Sequence, residues 1–282
     1  MIASRILLRS FSKLASSSPG LNILPLGKGI VELQMDSPPV NTFTIENLLT
    51  FTKTIKMLEQ DPDVKGFVLT SAVPKIYSAG LDLKELHHPT PEDFKLYWST
   101  FEKMWNTYYM SPLATVAAID GTCPALGAIM ALSSDYRVMV NNSRYRFGLN
   151  ETALGMNPPD FLRAIMAHTI GGRQAEWHLS VSTLADPAEA FEIGFVDQLV
   201  DGTEHLMPAA IEKLKVLTSI PDKARGQSKQ GFRKPIADLV NHMESVDVMV
   251  DSCLGDEFQN TMDGVMERLK SKKKKEVGIG YT

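Results

Sequence analysis

Arg144-Tyr-Arg-Phe-Gly-Leu-Asn-Glu-Thr-Ala-Leu-Gly155 is the stretch on which the chain turns. A short basic and apolar run enters it, a glycine closes it, and Pro158-Pro159 follow almost at once. Glu151 is the sole acidic residue between Asp135 and Asp160. Two readings fit a carboxylate in a tight turn between apolar flanks. It is an exposed turn residue, or it is partly desolvated, which raises a carboxyl pKa and makes it a better base near neutral pH.

Two further stretches supply context. Tyr77-Ser-Ala-Gly-Leu-Asp-Leu83 follows an expected strand. Ala118-Ile-Asp-Gly-Thr-Cys-Pro-Ala-Leu-Gly127 follows another and opens a helix with small residues. Strand-to-helix turns of this kind leave backbone N–H groups unpaired at the helix start. Two such groups facing one point make an oxyanion hole. A single turn says little, whereas two of them followed by a glutamate turn form a more specific constellation.

Together these segments resemble the crotonase (enoyl-CoA hydratase/isomerase) superfamily, from about Ile30 to about Leu269. Within it they look most like the mitochondrial 3,2-trans-enoyl-CoA isomerase branch. That pattern is carried by Ser78-Ala-Gly-Leu-Asp-Leu83, by Ser134-Asp135 followed by Tyr136-Arg137, and by Gly148-Leu-Asn-Glu-Thr152. The resemblance implies an α/β fold, the crotonase (ClpP-like) spiral of ββα units, with a C-terminal helical region used in trimer packing. It also implies an acyl-CoA thioester as substrate.

Position by position, the resemblance makes the backbone N–H groups of Leu81 and Leu126 the two oxyanion donors and Glu151 the base. The CoA moiety would lie along Ala79, Gly80, Leu81, Asp82 and Leu83, with the thioester between Leu81 and Leu126. Asp82 reads more simply as the cap of the helix that starts there. The acyl tail would meet Met156, Asn157, Pro158 and Phe161. Leu126 departs from the family, which usually has glycine there, and glycine is used where backbone must approach a ligand closely. A hydratase needs a second glutamate to orient water, and that position falls on Ile129, whose apolar side chain cannot activate water. The implied reaction is therefore a 1,3 proton shift, from carbon 2 to carbon 4, through one carboxylate. Another reaction on a CoA thioester, or a CoA-binding homologue with little turnover, stays open beside it. No cofactor is implied beyond the CoA of the substrate, and no metal.

Length and composition agree with such an enzyme. The chain has 282 residues, 44% hydrophobic and 22% charged, which is ordinary for one large globular unit with a helical appendage. A net charge of −4 gives no reason to expect nucleic acid. Two cysteines, Cys123 and Cys253, are too few for a disulfide framework and read as free buried thiols. No apolar run is long enough to span a bilayer. Residues 1–20 carry Arg5, Arg9 and Lys13, many serines and no acid, with Ile6, Leu7, Phe11 and Leu14 near one helical face. That composition describes a mitochondrial transit peptide, and with the resemblance it points to the mitochondrial matrix. The expected layout is a leader over 1–20, a crotonase core over 21–201 and a helical region over 202–282, assembling as a homotrimer.

Local patterns fill in the elements. Alternation predicts a strand over Ile30–Met35. Thr44 caps a helix whose Leu48, Phe51, Ile55 and Leu58 share a face, and Asp61-Pro62-Asp63 stops it. Gly66–Ser71 reads as a buried strand. Thr90-Pro91-Glu92-Asp93 starts a helix running to about Tyr109. Strands are expected over Thr115–Ile119, Tyr136–Val140, Arg144–Phe147 and Val196–Val200, and a small-residue helix over Ala125–Ser134. Helices are expected over Phe161–Thr169, Arg173–Ser180 and Pro187–Gly194, and almost throughout from Thr203. His87-His88 lacks metal-ligand spacing and reads as a surface loop. Lys270–Lys275 reads as a solvated helix end.

Overall fold

The computed structural model describes residues 16–241 and 244–278. The leader expectation falls mainly on residues 1–15, outside the described ones. The chain is layered α/β, as expected. The main sheet has seven strands in the order β1 (Ser16–Ser18), β2 (Gly20–Gly27), β3 (Ile30–Asp36), β5 (Gly66–Ser71), β8 (Ala114–Ile119), β10 (Tyr136–Val140) and β12 (Gln198–Val200). The first three pair antiparallel and the rest parallel.

Short strands form two smaller layers. β6 (Lys75–Ile76), β9 (Gly121–Pro124) and β11 (Phe147–Gly148) make one, and β4 (Thr42–Phe43) with β7 (Gly80–Leu81) makes the other. Each long strand from β3 to β10 is thus followed by a short strand and then a helix: α1 (Ile45–Gln60), α2 (Leu83–Leu86) with α3 (Pro91–Tyr109), α4 (Leu126–Leu132), and a 3-10 turn (Glu151–Leu154) with α5 (Asp160–Ile170). The ββα unit recurs in space although no repeat is visible in the sequence. α6 (Gly172–Val181), α7 (Pro187–Glu192), α8 (Thr203–Thr218), α9 (Asp222–Ala237), a 3-10 turn (Asp238–Asn241), α10 (Glu244–Leu254) and α11 (Asp256–Gly278) complete the chain.

Local chemistry places these elements. Thr44 accepts from Asn47 N–H and Thr90 from Asp93 N–H, so both expected caps are in place. All six residues of β8 are buried, as expected for a central strand covered on both faces. Leu48, Phe51, Ile55 and Leu58 are buried, and Phe51 meets Tyr108 of α3 edge-on at 5.6 Å. Cys123 and Cys253 are free and buried.

The structure adds to the sequence reading and departs from it in places. The strand expected over Arg144–Phe147 shrinks to Phe147–Gly148, because Arg146 Nη1 turns back onto the carbonyls of Ser143 and Tyr145 (2.7 Å each). β2 carried no strand expectation, yet Leu21 and Ile23 alternate inward against β3. The β1–β2 hairpin begins at Ser16, inside the segment assigned to the leader. Glu32 lies buried on β3, between β2 and β5, where Thr70 Oγ1 donates to it at 2.6 Å.

A buried ionic knot fastens the helical C-terminal region to the core. Asp135 follows α4, and its carboxylate meets Lys229 Nζ and Arg233 Nη2 of α9, each at 2.9 Å, and accepts from Thr115 N–H. All three charged side chains are nearly inaccessible. Lys229 also donates to Leu113 O and Arg233 to Tyr109 O, so the cations are fully engaged. Removing one partner of such a knot leaves uncompensated charge in the interior. Asp135→Asn should lower unfolding free energy by about 3–5 kcal/mol, read as an earlier urea midpoint; an unchanged midpoint would show that the knot does not hold α9.

Candidate active site

Three chain segments meet around Ala125. The first is β7. Asp82 N–H donates to Phe43 O (3.3 Å), and in a parallel pair alternate residues face the partner strand, so Leu81 turns its own N–H away from β4. The far side of that strand faces the start of α4: a Cβ on Gly80, whose φ is +92°, would lie 3.0 Å from Leu126 N and 3.0 Å from Ala125 Cβ. Glycine is thus required for the two segments to touch. Tyr97 of α3 fixes β7 from behind, its hydroxyl donating to Phe43 O (2.5 Å) and accepting from Asp82 N–H (3.0 Å).

The second segment is the turn into α4. Ala125 precedes the helix with φ 51° and ψ −129°, a conformation that suits glycine and costs an L-residue on the order of 1–3 kcal/mol. Its ψ sets the direction of the next peptide, the one that carries Leu126 N–H. That N–H is at a helix start without a side-chain cap, where backbone donors lack intrahelical partners. The Leu126 side chain is buried, 3% exposed. Close packing falls instead to Gly127, where a Cβ would sit 2.5 Å from Ser78 O. Ile129 is fully buried one turn along.

The third segment carries Glu151. Ala125 N–H donates to Gly148 O (2.9 Å), extending the β9–β11 pairing, and Glu151 lies three residues beyond. Three residues span at most about 11 Å, so the fold keeps Glu151 near the Leu126 turn. Glu151 opens the 3-10 turn and is 7% exposed, which settles its two readings in favour of burial. Burial lifts its carboxyl to about 7, and the backbone N–H groups of Glu151 and Asn150 only partly offset that rise. Its Oε2 is buried without a hydrogen-bond partner. A buried carboxylate oxygen left unpaired is costly and is characteristic of groups that handle protons.

The 3-10 turn is stapled on two sides. Thr152 Oγ1 donates to Leu179 O (2.6 Å), and Ser182 Oγ accepts from Ala153 N–H (2.7 Å). Gly155 closes the turn at φ +77°, against Glu257 and Phe258 of α11.

The remaining candidates separate. Asp82 is a cap: its Oδ1 accepts from Lys84 N–H (2.9 Å) and its Oδ2 from Thr42 Oγ1 (3.1 Å). Ala79 spends its N–H on Val40 O, while Leu83 begins α2. Met156 and Pro158 are buried beside the 3-10 turn. Phe161 sits in the aromatic core, its ring 4.6 Å from that of Trp105, and exposed Asn157 accepts from Arg163. Sequence reasoning missed Tyr97 and the strained backbone of Ala125, which no residue pattern announces. It also missed the approach of α11, which requires contacts across some hundred residues.

The chain is similar to known proteins over most of its length. The family model described as enoyl-CoA hydratase/isomerase matches residues 26–275. The chain is 37% identical over 249 residues to human "Enoyl-CoA delta isomerase 1, mitochondrial", covering 88% of this chain and 82% of the relative. The crystal structure of human mitochondrial delta3-delta2-enoyl-CoA isomerase superposes with a TM-score of 0.87 at 36% identity, over 90% of this chain and 99% of that one. An enoyl-CoA hydratase from Bacillus halodurans shares the fold at a TM-score of 0.79 and 17% identity, over 87% and 99% of the two chains.

The raised carboxyl has two measurable consequences. Only ionised Glu151 accepts a proton, so kcat/KM for whatever proton transfer it performs should climb about tenfold per pH unit below 7 and level off above. A flat profile across that range would contradict the role. Stability moves the other way: a folded-state value of about 7 against an ordinary 4.5 favours the protonated form. The associated stability is complete below pH 4.5 and lost as pH rises through 7, roughly 3 kcal/mol in all. Glu151→Gln should lack that loss in denaturant titrations at a series of pH values.

Proposed function

The chain belongs to the enoyl-CoA hydratase/isomerase family, and we propose that it moves the double bond of a 3-enoyl-CoA, cis or trans, to the 2-trans position in fatty-acid β-oxidation. Glu151 takes a proton from carbon 2, next to the thioester carbonyl. Charge flows to the carbonyl oxygen and forms a dienolate, which the N–H groups of Leu81 and Leu126 stabilise. Glu151 then returns the proton to carbon 4. The carbon 3–carbon 4 double bond is lost, a carbon 2–carbon 3 double bond appears, and no atom is gained or lost overall. Each oxyanion donor of this type is worth about 3–4 kcal/mol.

The observation that carries the reading is the buried Glu151 carboxyl with one unpaired oxygen, three residues beyond the carbonyl that anchors the Leu126 turn. Its value of about 7 suits a group that must both take and give a proton near neutral pH. Buried Ile129 stands where the resemblance puts a hydratase's second glutamate, which favours isomerisation over hydration. Likeness to the mitochondrial isomerase supports the same substrate class and placement in the mitochondrion. The reading extends to the matrix, and to a homotrimer built through the C-terminal helices.

Leu126 in place of the family's usual glycine is compatible with turnover, because the donor is backbone and the close approaches fall on Gly80 and Gly127. Incubation with 3-hexenoyl-CoA should give 2-enoyl-CoA without 3-hydroxyacyl product. Glu151→Gln should keep the fold and acyl-CoA binding while the rate falls by roughly 10²–10⁴-fold. Near-normal turnover of that variant would refute the assignment, and tight acyl-CoA binding by the native chain without turnover would favour a binding homologue.

A further inference from the structure

His87 and His88 lie between α2 and α3, and the sequence presents them as an unremarkable loop. In the fold they converge on one carboxylate of the C-terminal helix. Asp263 Oδ1 of α11 lies 2.8 Å from His87 Nε2 and 3.0 Å from His88 Nε2. Adjacent residues of an extended chain point to opposite sides, but His88 has φ 49°, and this left-handed turn brings both rings to the same side, their centroids 4.6 Å apart. All three ligand atoms lie within 4.8 Å of one another.

The supporting frame is rigid. Buried Gln259, one turn before Asp263, accepts from His88 N–H (2.8 Å) and donates to Leu86 O (3.0 Å) and Cys253 O (2.6 Å). The backbones that carry the three groups are thus already tied together by a side chain that is not itself a ligand. Gln259 thereby holds the His87–His88 loop against α11, so that the three ligand groups meet without further rearrangement of the backbone.

We infer that His87, His88 and Asp263 form a binding site for a divalent transition-metal ion such as Zn²⁺. Two imidazole nitrogens and one carboxylate oxygen are a donor set that suits zinc and its neighbours, with water completing a tetrahedron. Around such an ion, at about 2.1 Å from each ligand, donor atoms sit about 3.4 Å apart. The present Nε2–Oδ1 separations of 2.8 and 3.0 Å need to open by about half an ångström, and the two imidazole nitrogens, within 4.8 Å of each other, need to draw together around the ion. Half-exposed Asp263 and His88 leave an entry path from solvent.

The site's position gives the ion a consequence. The loop of His87 and His88 follows α2, which starts two residues after Leu81. The first turn of α11 rests against Gly155, which closes the turn opened by Glu151. Helix α11 therefore spans both arms of the candidate active site, and a bound ion would pin it to the Leu81 arm across a separation of 175 residues.

Titration of the full-length chain with ZnCl₂ at pH 7.5, followed by calorimetry, should show one ion bound per chain. Co²⁺ should give a visible absorption band that Zn²⁺ displaces. Affinity should fall as pH drops toward 5, since a liganding imidazole must be unprotonated. His88→Ala and Asp263→Asn should each weaken binding at least tenfold with unchanged circular dichroism. Zn²⁺ should slow amide exchange at 86–88 and 257–263 in the native chain and not in either variant. Absence of stoichiometric binding at neutral pH would overturn the inference. So would affinity retained in either variant, which would put the ion elsewhere. Isomerase assays of His88→Ala without metal separate this site from the proposed reaction, because the loss of one does not entail the loss of the other.

Discussion

A carboxylate held out of water with one oxygen unpaired is the constraint around which the rest is built. Leaving Glu151 in that condition costs stability at every pH where it is ionised, and folding must supply the difference elsewhere. The supply is visible. The 3-10 turn that bears Glu151 is bound to Leu179 and Ser182 on one side and pressed against α11 on the other. The backbone that carries the carboxyl is thereby held in place. A protein that merely needed a stable turn would gain by placing a neutral or exposed residue there.

The same logic governs the amides. Ala125 occupies a backbone region that most residues avoid, at the point where the peptide direction decides where Leu126 N–H is aimed. Gly80 and Gly127 remove the side chains that would hold the two segments apart. Strain, close backbone approach and a buried unpaired acid converge within a few residues of one another. Other buried atoms lack partners and other residues have positive φ, but at this place an unpaired acid, a strained turn and two close backbone approaches coincide. The dienolate chemistry asks for little more: a base that is not solvated, a pair of fixed donors, and no second acid to direct water at the intermediate.

Much of this was legible in the residues, and the limits are physical. Thr44 and Thr90 announce their helices because a cap is a local bond. The three site segments could be named because each is a short strand-to-helix turn with its own signature. The Arg144–Phe147 strand was overextended because alternation says nothing of arginine side chains returning to nearby carbonyls. The Gly20–Gly27 strand was passed over since Pro25 and two glycines mask its inward Leu21 and Ile23. Phe161 looked like a pocket residue from its place in the chain, yet its ring belongs to the aromatic core with Trp105. What α11 touches could not be read at all, because Gln259 and Asp263 meet residues 86–88 only after the chain has closed on itself.

The most direct measurement follows the proton itself. The native chain would be given 3-hexenoyl-CoA carrying deuterium at carbon 2, and the 2-enoyl product examined for label at carbon 4. A buried single carboxylate exchanges slowly with bulk water relative to the return step, so a substantial fraction of product should carry deuterium at carbon 4. Product formed at the full rate with solvent hydrogen alone at carbon 4, and label only in the hydrogen that carbon 2 retains, would contradict a proton carried by Glu151 alone.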